Sequence, residues 1–206
     1  MTDFEILKNL NINLPFEIQK DLLKWEELFL NYNSHTNLMS KNDTKVLFEK
    51  HVYDSLAINL WEDFKNHKII LDIGTGGGFP GVILAICFRD KKIIANDSRI
   101  KKINFIKEIK ESLKLDNLEV LYSRIEDVEP LNADLIVSRA VGKISDIYEL
   151  SKKHLKKGGR FLIYKSKTVQ NEIDEFKKKY KNVEFQTIPY ELPLDENFER
   201  KLVIML

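Results

Sequence analysis

The sequence predicts an α/β protein with a mostly parallel, doubly wound sheet of seven strands and an antiparallel edge near the C-terminus. From Lys68 onward, short β-branched apolar runs alternate with longer amphipathic segments, which is typical of parallel strands joined by crossover helices. A cluster of glycines follows the first run and precedes a helical pattern. The last two runs lie too close together to hold a crossover helix between them, so we expect them to pair antiparallel.

Each strand is predicted from a short run rich in β-branched, leucine or aromatic residues. In chain order, the runs are Lys68–Ile73, Lys92–Asp97, Leu118–Ser123, Ala133–Ser138, Arg160–Lys165, Val183–Leu192 and Arg200–Leu206. Helices are expected between them at Gly81–Phe88, Arg99–Lys114, Lys143–Leu155 and Thr168–Tyr180. We expect Gly158 and Gly159 to end the third of these helices before the fifth strand.

Residues 1–66 have a different pattern and are predicted to form a helical N-terminal extension packed on the sheet domain, residues 67–206. The segments Gln19–Tyr32 and Asp43–Trp61 are amphipathic with helical spacing, and His35–Asp43 is expected to be the loop between them. No flexible linker or repeat separates the two parts. We therefore expect residues 1–206 to form a single domain.

The composition is that of an ordinary globular protein. The chain has 33 Lys and Arg against 32 Asp and Glu, a formal net charge of +1, so any nucleic-acid contact would depend on a local basic patch. Cys87 is the only cysteine, which excludes an internal disulfide and favours a reducing compartment. The longest apolar run, Val82–Phe88, is too short to cross a bilayer. We expect a cytoplasmic protein with no membrane contact.

The glycine cluster LDIGTGGGFPG contains two overlapping frames that indicate different ligands. Gly74, Gly76 and Gly78 form G-x-G-x-G, which is typical of S-adenosylmethionine enzymes, whereas Gly76, Gly78 and Gly81 form the G-x-G-x-x-G of dinucleotide enzymes. In the dinucleotide fold the first glycine directly follows the strand. If the first strand ends at Ile73, the frame that begins at Gly74 is in register.

Two carboxylates and the C-terminal strands also help to distinguish an S-adenosylmethionine enzyme from a dinucleotide enzyme. Asp72 would repel a pyrophosphate but can accept hydrogen bonds from a cationic amino group; alternatively, it bonds amides of the loop. Asp97 ends the second strand, where a carboxylate can bond ribose hydroxyls in either class of enzyme. The antiparallel C-terminal strands favour a Rossmann-like class I S-adenosylmethionine-dependent methyltransferase over the rival, a dinucleotide-binding oxidoreductase.

Missing motifs narrow the methyl acceptor. The (D/N/S)-P-P-(Y/F) box of exocyclic-amine methyltransferases is replaced by Ser138-Arg139-Ala140, and Cys87 lies on an apolar helix rather than in a nucleophile's setting. His51, Asp54 and Ser55 lack the nucleophile elbow of a hydrolase; they either bond the loop beneath them or line the mouth of the site. A small-molecule methyltransferase would normally carry a lid and a general base. Guanine N7 fits what remains, because its lone pair is free and no proton is lost on attack.

Taken together, six segments resemble the bacterial ribosomal RNA small-subunit methyltransferase G family, also called glucose-inhibited division protein B. They are HVYDSL, LDIGTGGGFPG, NDSRIKKINFI, SRIEDV, VSRAVGKI and ERKLVIM, and they follow one another from His51 to the C-terminus. The resemblance implies methyl transfer from S-adenosylmethionine to guanine N7 in the 530 loop of 16S rRNA, giving 7-methylguanosine. Another RNA or a small molecule is the alternative acceptor.

The resemblance also implies roles for particular residues. Gly74 and Phe79 correspond to cofactor residues of the glycine loop, Ile125 and Glu126 would flank the adenine, and Arg139 matches a family residue of the cofactor and catalytic pocket. Glu126 could instead complement a helix dipole, and Arg139 could be part of a surface ion pair. The implied partners are 16S rRNA and the small ribosomal subunit, without a metal or a membrane; a monomer is expected.

Basic clusters suggest where RNA would bind. We expect Lys152–Arg160 and Tyr164–Thr168 to lie at strand ends that open toward the cofactor, with Lys41, Lys45, Lys50 and His51 from the N-terminal segment on the same rim; the alternative is that these clusters are solvated helix faces. These clusters would contact phosphates.

Overall fold

The strands form where the apolar runs occur in the sequence. A computed structural model of the protein describes residues 2–139, 142–194 and 198–206. Within these ranges, the strands are β1 (Ile69–Ile73), β2 (Lys92–Asp97), β3 (Leu118–Tyr122), β4 (Ala133–Arg139), β5 (Leu155–Ser166), β6 (Phe185–Glu191) and β7 (Glu199–Met205). The seven predicted strands are confirmed.

The strands make one sheet in the spatial order β3-β2-β1-β4-β5-β7-β6. Strands β1 to β5 pair parallel, whereas β7 pairs antiparallel with both β5 and β6. The predicted mostly parallel sheet with an antiparallel C-terminal edge is therefore confirmed. Because β2 and β4 lie on opposite sides of β1, the order of the chain reverses there, and the carboxyl ends of these strands open into a crevice.

The helices of the sheet domain agree with the predicted segments, with one correction. They are α4 (Gly81–Cys87), α5 (Ile100–Ser112), α6 (Ile144–Ser151) and α7 (Gln170–Lys179), the labels α1 to α3 being those of the N-terminal segment described below. The prediction that Gly158 and Gly159 end a helix is wrong. Helical structure ends with a 3-10 turn at His154, and both glycines lie within β5.

The two glycines serve a bulge in β5 instead. Gly158 has a φ of +80°, and the pairing of β4 with β5 shifts register in this region. A Cβ at Gly159 would lie 2.8 Å from the Leu155 side chain and 2.9 Å from the Asp134 carbonyl oxygen. Gly159 therefore has no room for a side chain, and the positive φ of Gly158 disfavours other residues, which is a common use of glycine in a bulged strand.

The N-terminal segment is helical as predicted, but its second half is not one amphipathic helix. It contains α1 (Phe16–Thr36), α2 (Lys41–Thr44), a π-helical turn (Leu47–Val52), α3 (Tyr53–Leu56) and 3-10 turns at Phe4–Leu10, Ala57–Leu60 and Glu62–Asn66. In Leu47–Leu60, residues are buried on every side rather than along one stripe. The segment is helical without a break from Leu47 to Leu60, but its hydrogen bonding changes from π to α to 3-10, and its burial on all sides is not that of an amphipathic helix.

Each face of the sheet has its own apolar core. Ile70 and Leu135 point to the face covered by α1, α4 and α5, while Leu71 and Ile136 point to the face covered by α6 and α7. The N-terminal segment joins the first core through Trp25 and Phe29, among others. In the described part of the chain, no helix combines the length and apolarity that crossing a membrane requires.

Candidate active site

A cleft of about 670 Å³ opens at the carboxyl ends of β1 to β4. The loop after β1, the end of β2, the turn after β3 and the end of β4 supply most of its wall, and the N-terminal segment closes one end. Seven of the predicted site residues line it: Gly74, Gly76, Phe79, Asp97, Ile125, Glu126 and Arg139. Following the strand order across the sheet, the lining passes from Ile125 through Asp97 and the glycine loop to Arg139.

The three glycines of the first frame share an unusual backbone conformation. The expectation that β1 ends at Ile73 is confirmed, and Gly74, Gly76 and Gly78 have φ values of +67°, +61° and +96°. Other residues rarely adopt this left-handed region. A Cβ at Gly78 would also lie 2.6 Å from Cγ2 of Val82, so the third glycine shapes the loop from behind the cleft wall.

Asp97 ties the end of β2 to the glycine loop. Its Oδ2 accepts the amide N–H of Gly76 at 3.0 Å, and its Oδ1 accepts the amide of Arg99 at 2.9 Å. The carboxylate is buried but lines the cleft, and its oxygens have lone pairs for further donors. The site can therefore accept hydroxyl groups of a ligand at this point.

Asp72 lies beneath the loop rather than on the cleft wall. It is fully buried, and its Oδ2 accepts the amide N–H of Gly81, the first residue of α4, at 2.7 Å. Burial raises the pKa of this carboxyl to about 7. The contact that the structure shows is the loop-amide bond given above as the alternative; contact with a ligand amine stays a prediction.

A short 3-10 turn follows β3 and supplies Ile125 and Glu126. Ile125 is buried and presents apolar surface to the cleft, while the half-exposed Glu126 carboxylate lies 3.7 Å from the Arg124 guanidinium. The turn is held from outside, since its carbonyl oxygens accept the ring N–H of His154 and the ammonium of Lys153. This end of the cleft offers an apolar wall beside an acceptor, which suits a heterocyclic base.

Arg139 is fixed at the opposite end of the cleft. One terminal nitrogen donates to Oδ2 of Asp54 at 3.0 Å, the other donates to Nδ1 of His51 at 2.9 Å, and the guanidinium lies 4.8 Å from the centre of the Phe79 ring. Its side chain is only 11% exposed. The alternative of a surface ion pair is therefore wrong, because both partners are buried.

The partners of Arg139 belong to a larger cluster that the sequence did not reveal. Asp54 is 4% exposed and also accepts from Nε and a terminal nitrogen of Arg200, both at 3.2 Å, and from the Tyr190 hydroxyl. Sequence spacing had linked His51 and Asp54, but nothing in the sequence linked them to β6 and β7. Burial, and then the charge of Arg139, lower the pKa of His51 to about 4, so this histidine is neutral.

The expected basic rim is wrong in part. Lys156 pairs with Asp134 at the start of β4, which is the end of the sheet away from the cleft, and Lys165 is 13% exposed in an ion pair with Glu172 at 2.7 Å. Parallel strands begin at one edge of a sheet and end at the other, so Lys156 cannot reach the cleft. Besides Arg139, the Lys and Arg residues that line it are Arg99, Lys102 and Arg124, of which the first two lie in the NDSRIKK segment.

Comparison with known proteins gives the family. Residues 18–201 match the family described as "rRNA small subunit methyltransferase G". The chain is 40% identical over 162 residues to "Ribosomal RNA small subunit methyltransferase G" of Fusobacterium nucleatum, covering 77% of this chain and 69% of that one. It is 31% identical over 201 residues to the protein of the same name from Staphylococcus saprophyticus, covering 94% and 84%.

Solved structures with low sequence identity share the fold. A "SAM dependent methyltransferase from Aquifex aeolicus" superposes with a TM-score of 0.57 at 19% identity, covering 80% of this chain and 95% of that one. "M. jannaschii TYW2 in complex with AdoMet" gives 0.53 at 16% identity, covering 67% of each. The Rossmann-like class I fold is confirmed, the oxidoreductase rival is dropped, and the cofactor is S-adenosylmethionine. On its sequence, the chain belongs to the rRNA small subunit methyltransferase G family.

Proposed function

We propose that this chain transfers a methyl group from S-adenosylmethionine to N7 of a guanine in the 530 loop of 16S rRNA. The observation that carries the choice of atom is the saturation of the basic groups near Arg139. Asp54 is occupied by two guanidinium groups and a hydroxyl, and Nδ1 of His51 by Arg139. Asp43, the other carboxylate at this end, is bonded by Lys50 and the Ser40 hydroxyl, so the described residues place no unengaged base beside Arg139, and N7 has no proton to give.

The residues of the cleft fit the cofactor. The left-handed glycines allow the backbone at Gly74 and Gly76 to approach a ligand closely, and both residues line the cleft. We propose that this loop holds the methionine part, that Asp97 accepts the ribose hydroxyls, and that Ile125 and Glu126 hold the adenine. When bound, S-adenosylmethionine supplies a methyl group on a sulfonium, whose transfer moves positive charge to the base without releasing a proton.

The chain's own contribution to the reaction would be alignment. Asp54 and His51 use two of the five N–H donors of Arg139, which leaves donors for a ligand at this end of the cleft. Phe79 lies against both Arg139 and His51 and limits their movement. Holding the reacting atoms in place contributes up to roughly 7–11 kcal/mol in favourable cases.

The test is methyl transfer from labelled S-adenosylmethionine to small ribosomal subunits that lack the modification, followed by nucleoside analysis. We expect label in 7-methylguanosine and a loss of about 100-fold for Arg139→Ala. Arg89→Ala is the matched control, since that guanidinium pairs with Asp21 and is not part of the cleft lining. Label in another nucleoside, or none from protein that binds the cofactor, would contradict the proposed acceptor.

The remaining expectations belong to the same proposal. The substrate would be the rRNA within the small subunit, which places the protein in the cytoplasm. We expect a transfer that requires no metal and a protein that acts as a monomer. Methyl transfer with and without a chelator tests the first point, and sedimentation of the purified protein tests the second.

A further inference from the structure

The hydrogen bond between Arg139 and His51 fixes where the histidine carries its proton. A guanidinium has only donors, so Nδ1 of His51, 2.9 Å from the Arg139 nitrogen, must be the acceptor. A neutral imidazole then has its proton on Nε2. The lowered pKa of His51, about 4, agrees with this neutral form.

The tautomer is held from two sides. Arg139 cannot turn away without breaking its bond to the buried carboxylate of Asp54. The His51 ring is packed against Phe79, with 5.3 Å between ring centres. Nε2 of His51 therefore remains a hydrogen-bond donor, because the ring cannot easily rotate and Nδ1 is not easily protonated.

Nε2 of His51 has no hydrogen-bond partner among the described residues although it is buried. The nearest acidic group is Oδ1 of Asp43, at 3.8 Å, which is beyond hydrogen-bond distance. Both oxygens of Asp43 already accept, from Lys50 at 2.6 Å and from the Ser40 hydroxyl at 2.7 Å. An unsatisfied buried N–H is costly, and the His51 side chain lines the cleft, so a small movement that brings Nε2 to an accepting atom of a ligand would be favourable.

The position of His51 indicates which ligand. The sequence of elements across the sheet assigns adenine to the end near Ile125, ribose to Asp97 and methionine to the glycine loop. His51 lies beyond the loop, beside Arg139, where the methyl acceptor would enter. This step rests on the function proposed above.

We propose that His51 is a specificity-determining residue whose Nε2–H donates to O6 of the target guanine. Guanine carries two acceptors, N7 and O6, side by side on this edge, whereas adenine carries a donor amino group in place of O6. A fixed donor next to the methyl-accepting nitrogen would pair with guanine and oppose adenine. The same residue would thus help to hold N7 in place and to exclude the other purine.

The experiment is a two-by-two comparison of enzyme and base. Small subunits are reconstituted with 16S rRNA that carries either guanine or 2-aminopurine, which lacks O6, at the target position. Methyl transfer to N7 is measured for wild type and His51→Ala, and S-adenosylhomocysteine binding is measured calorimetrically for both proteins. His51→Gln, which retains a donor, and His35→Ala, an exposed histidine outside the cleft, serve as controls.

On guanine we expect His51→Ala to lose about 10- to 100-fold in kcat/KM while cofactor affinity stays the same. On 2-aminopurine the two proteins should differ by less than about 3-fold, because the lost partner is already absent. His51→Gln should recover part of the preference for guanine, and His35→Ala should match wild type.

Equal losses on both bases would overturn the inference, since His51 would then act only by supporting Arg139. So would an unchanged rate on guanine. If wild type binds the cofactor but methylates neither base at N7, the proposed function itself fails, and this inference fails with it.

Discussion

Replacing Asp54 with asparagine tests whether one buried carboxylate holds the acceptor end of the cleft together. Asp54→Asn keeps the shape of the side chain but removes its charge. Arg139, 11% exposed, and Arg200, 23% exposed, then lose the only carboxylate that the described residues place against them. The new amide group would also direct its own N–H donors at one of these guanidinium groups.

The magnitude follows from this burial. Removing one member of a buried ion pair leaves the other charge uncompensated, which typically lowers the free energy of unfolding by about 3–5 kcal/mol. That is a large part of the roughly 5–15 kcal/mol that stabilises a folded domain. We expect the loss to fall at or below the middle of the range, since Arg200 remains partly in contact with water.

Urea unfolding at equilibrium measures the loss, with Asp21→Asn as the matched control. Asp21 accepts from Arg89 at 2.6 Å, but both side chains are 33% exposed, so we expect a change of about 1 kcal/mol or less that shrinks in high salt. The loss for Asp54→Asn should persist in high salt. A loss no larger than that of Asp21→Asn would refute the reasoning, because the cluster would then be as well solvated as a surface pair.

Three further substitutions test the loop and the buried polar groups. Gly78→Ala should destabilise the protein by at least about 1 kcal/mol and weaken S-adenosylhomocysteine binding, because a Cβ would lie 2.6 Å from Val82 at a φ of +96°. Gly77→Ala is the control: Gly77 has no positive φ, so the losses of stability and of binding should both be smaller. Lys91→Met should lose about 1–3 kcal/mol in urea unfolding, since its buried ammonium donates to three backbone carbonyl oxygens. For Asp72, whose pKa is raised in the folded state, stability should fall as pH rises from about 4 to 7; the difference curve between wild type and Asp72→Asn should show this slope, and a flat difference would contradict it.

The sequence predicted most accurately those features that depend on residues close together in the chain. The strands follow from apolar runs, and the glycine frame follows from the end of β1 at Ile73. Two misses have local causes that a pattern does not contain. The pair Gly158–Gly159 resembles a helix end, but the same residues serve a β-bulge. Leu47–Leu60 changes from π to α to 3-10 hydrogen bonding, which an amphipathic pattern does not reveal.

The two ends of the cleft differ in how far apart in the sequence their interacting residues lie. Asp97 bonds Gly76, which is 21 residues away within one strand-loop-helix-strand unit, so the spacing between the glycine and the carboxylate predicts that they lie close together. Asp54 bonds Arg139 and Arg200, which are 85 and 146 residues away, and no periodicity relates them. Sequence reasoning therefore reached the cofactor side and missed the cluster behind Arg139.

That long-range cluster also explains why a methyltransferase core of this kind carries an N-terminal extension. The extension supplies Asp54 and His51, and the antiparallel edge supplies Tyr190 and Arg200, which bond Asp54 directly; both parts also enclose Arg139 at the end of β4, through Asp54 and His51. Without the extension, the Arg139 guanidinium would lack the hydrogen bonds to Asp54 and His51 that fix its orientation. With the extension docked, its orientation is determined by groups outside the cofactor half of the cleft. Substitutions in the extension should therefore alter the methyl-accepting end while leaving cofactor binding largely intact.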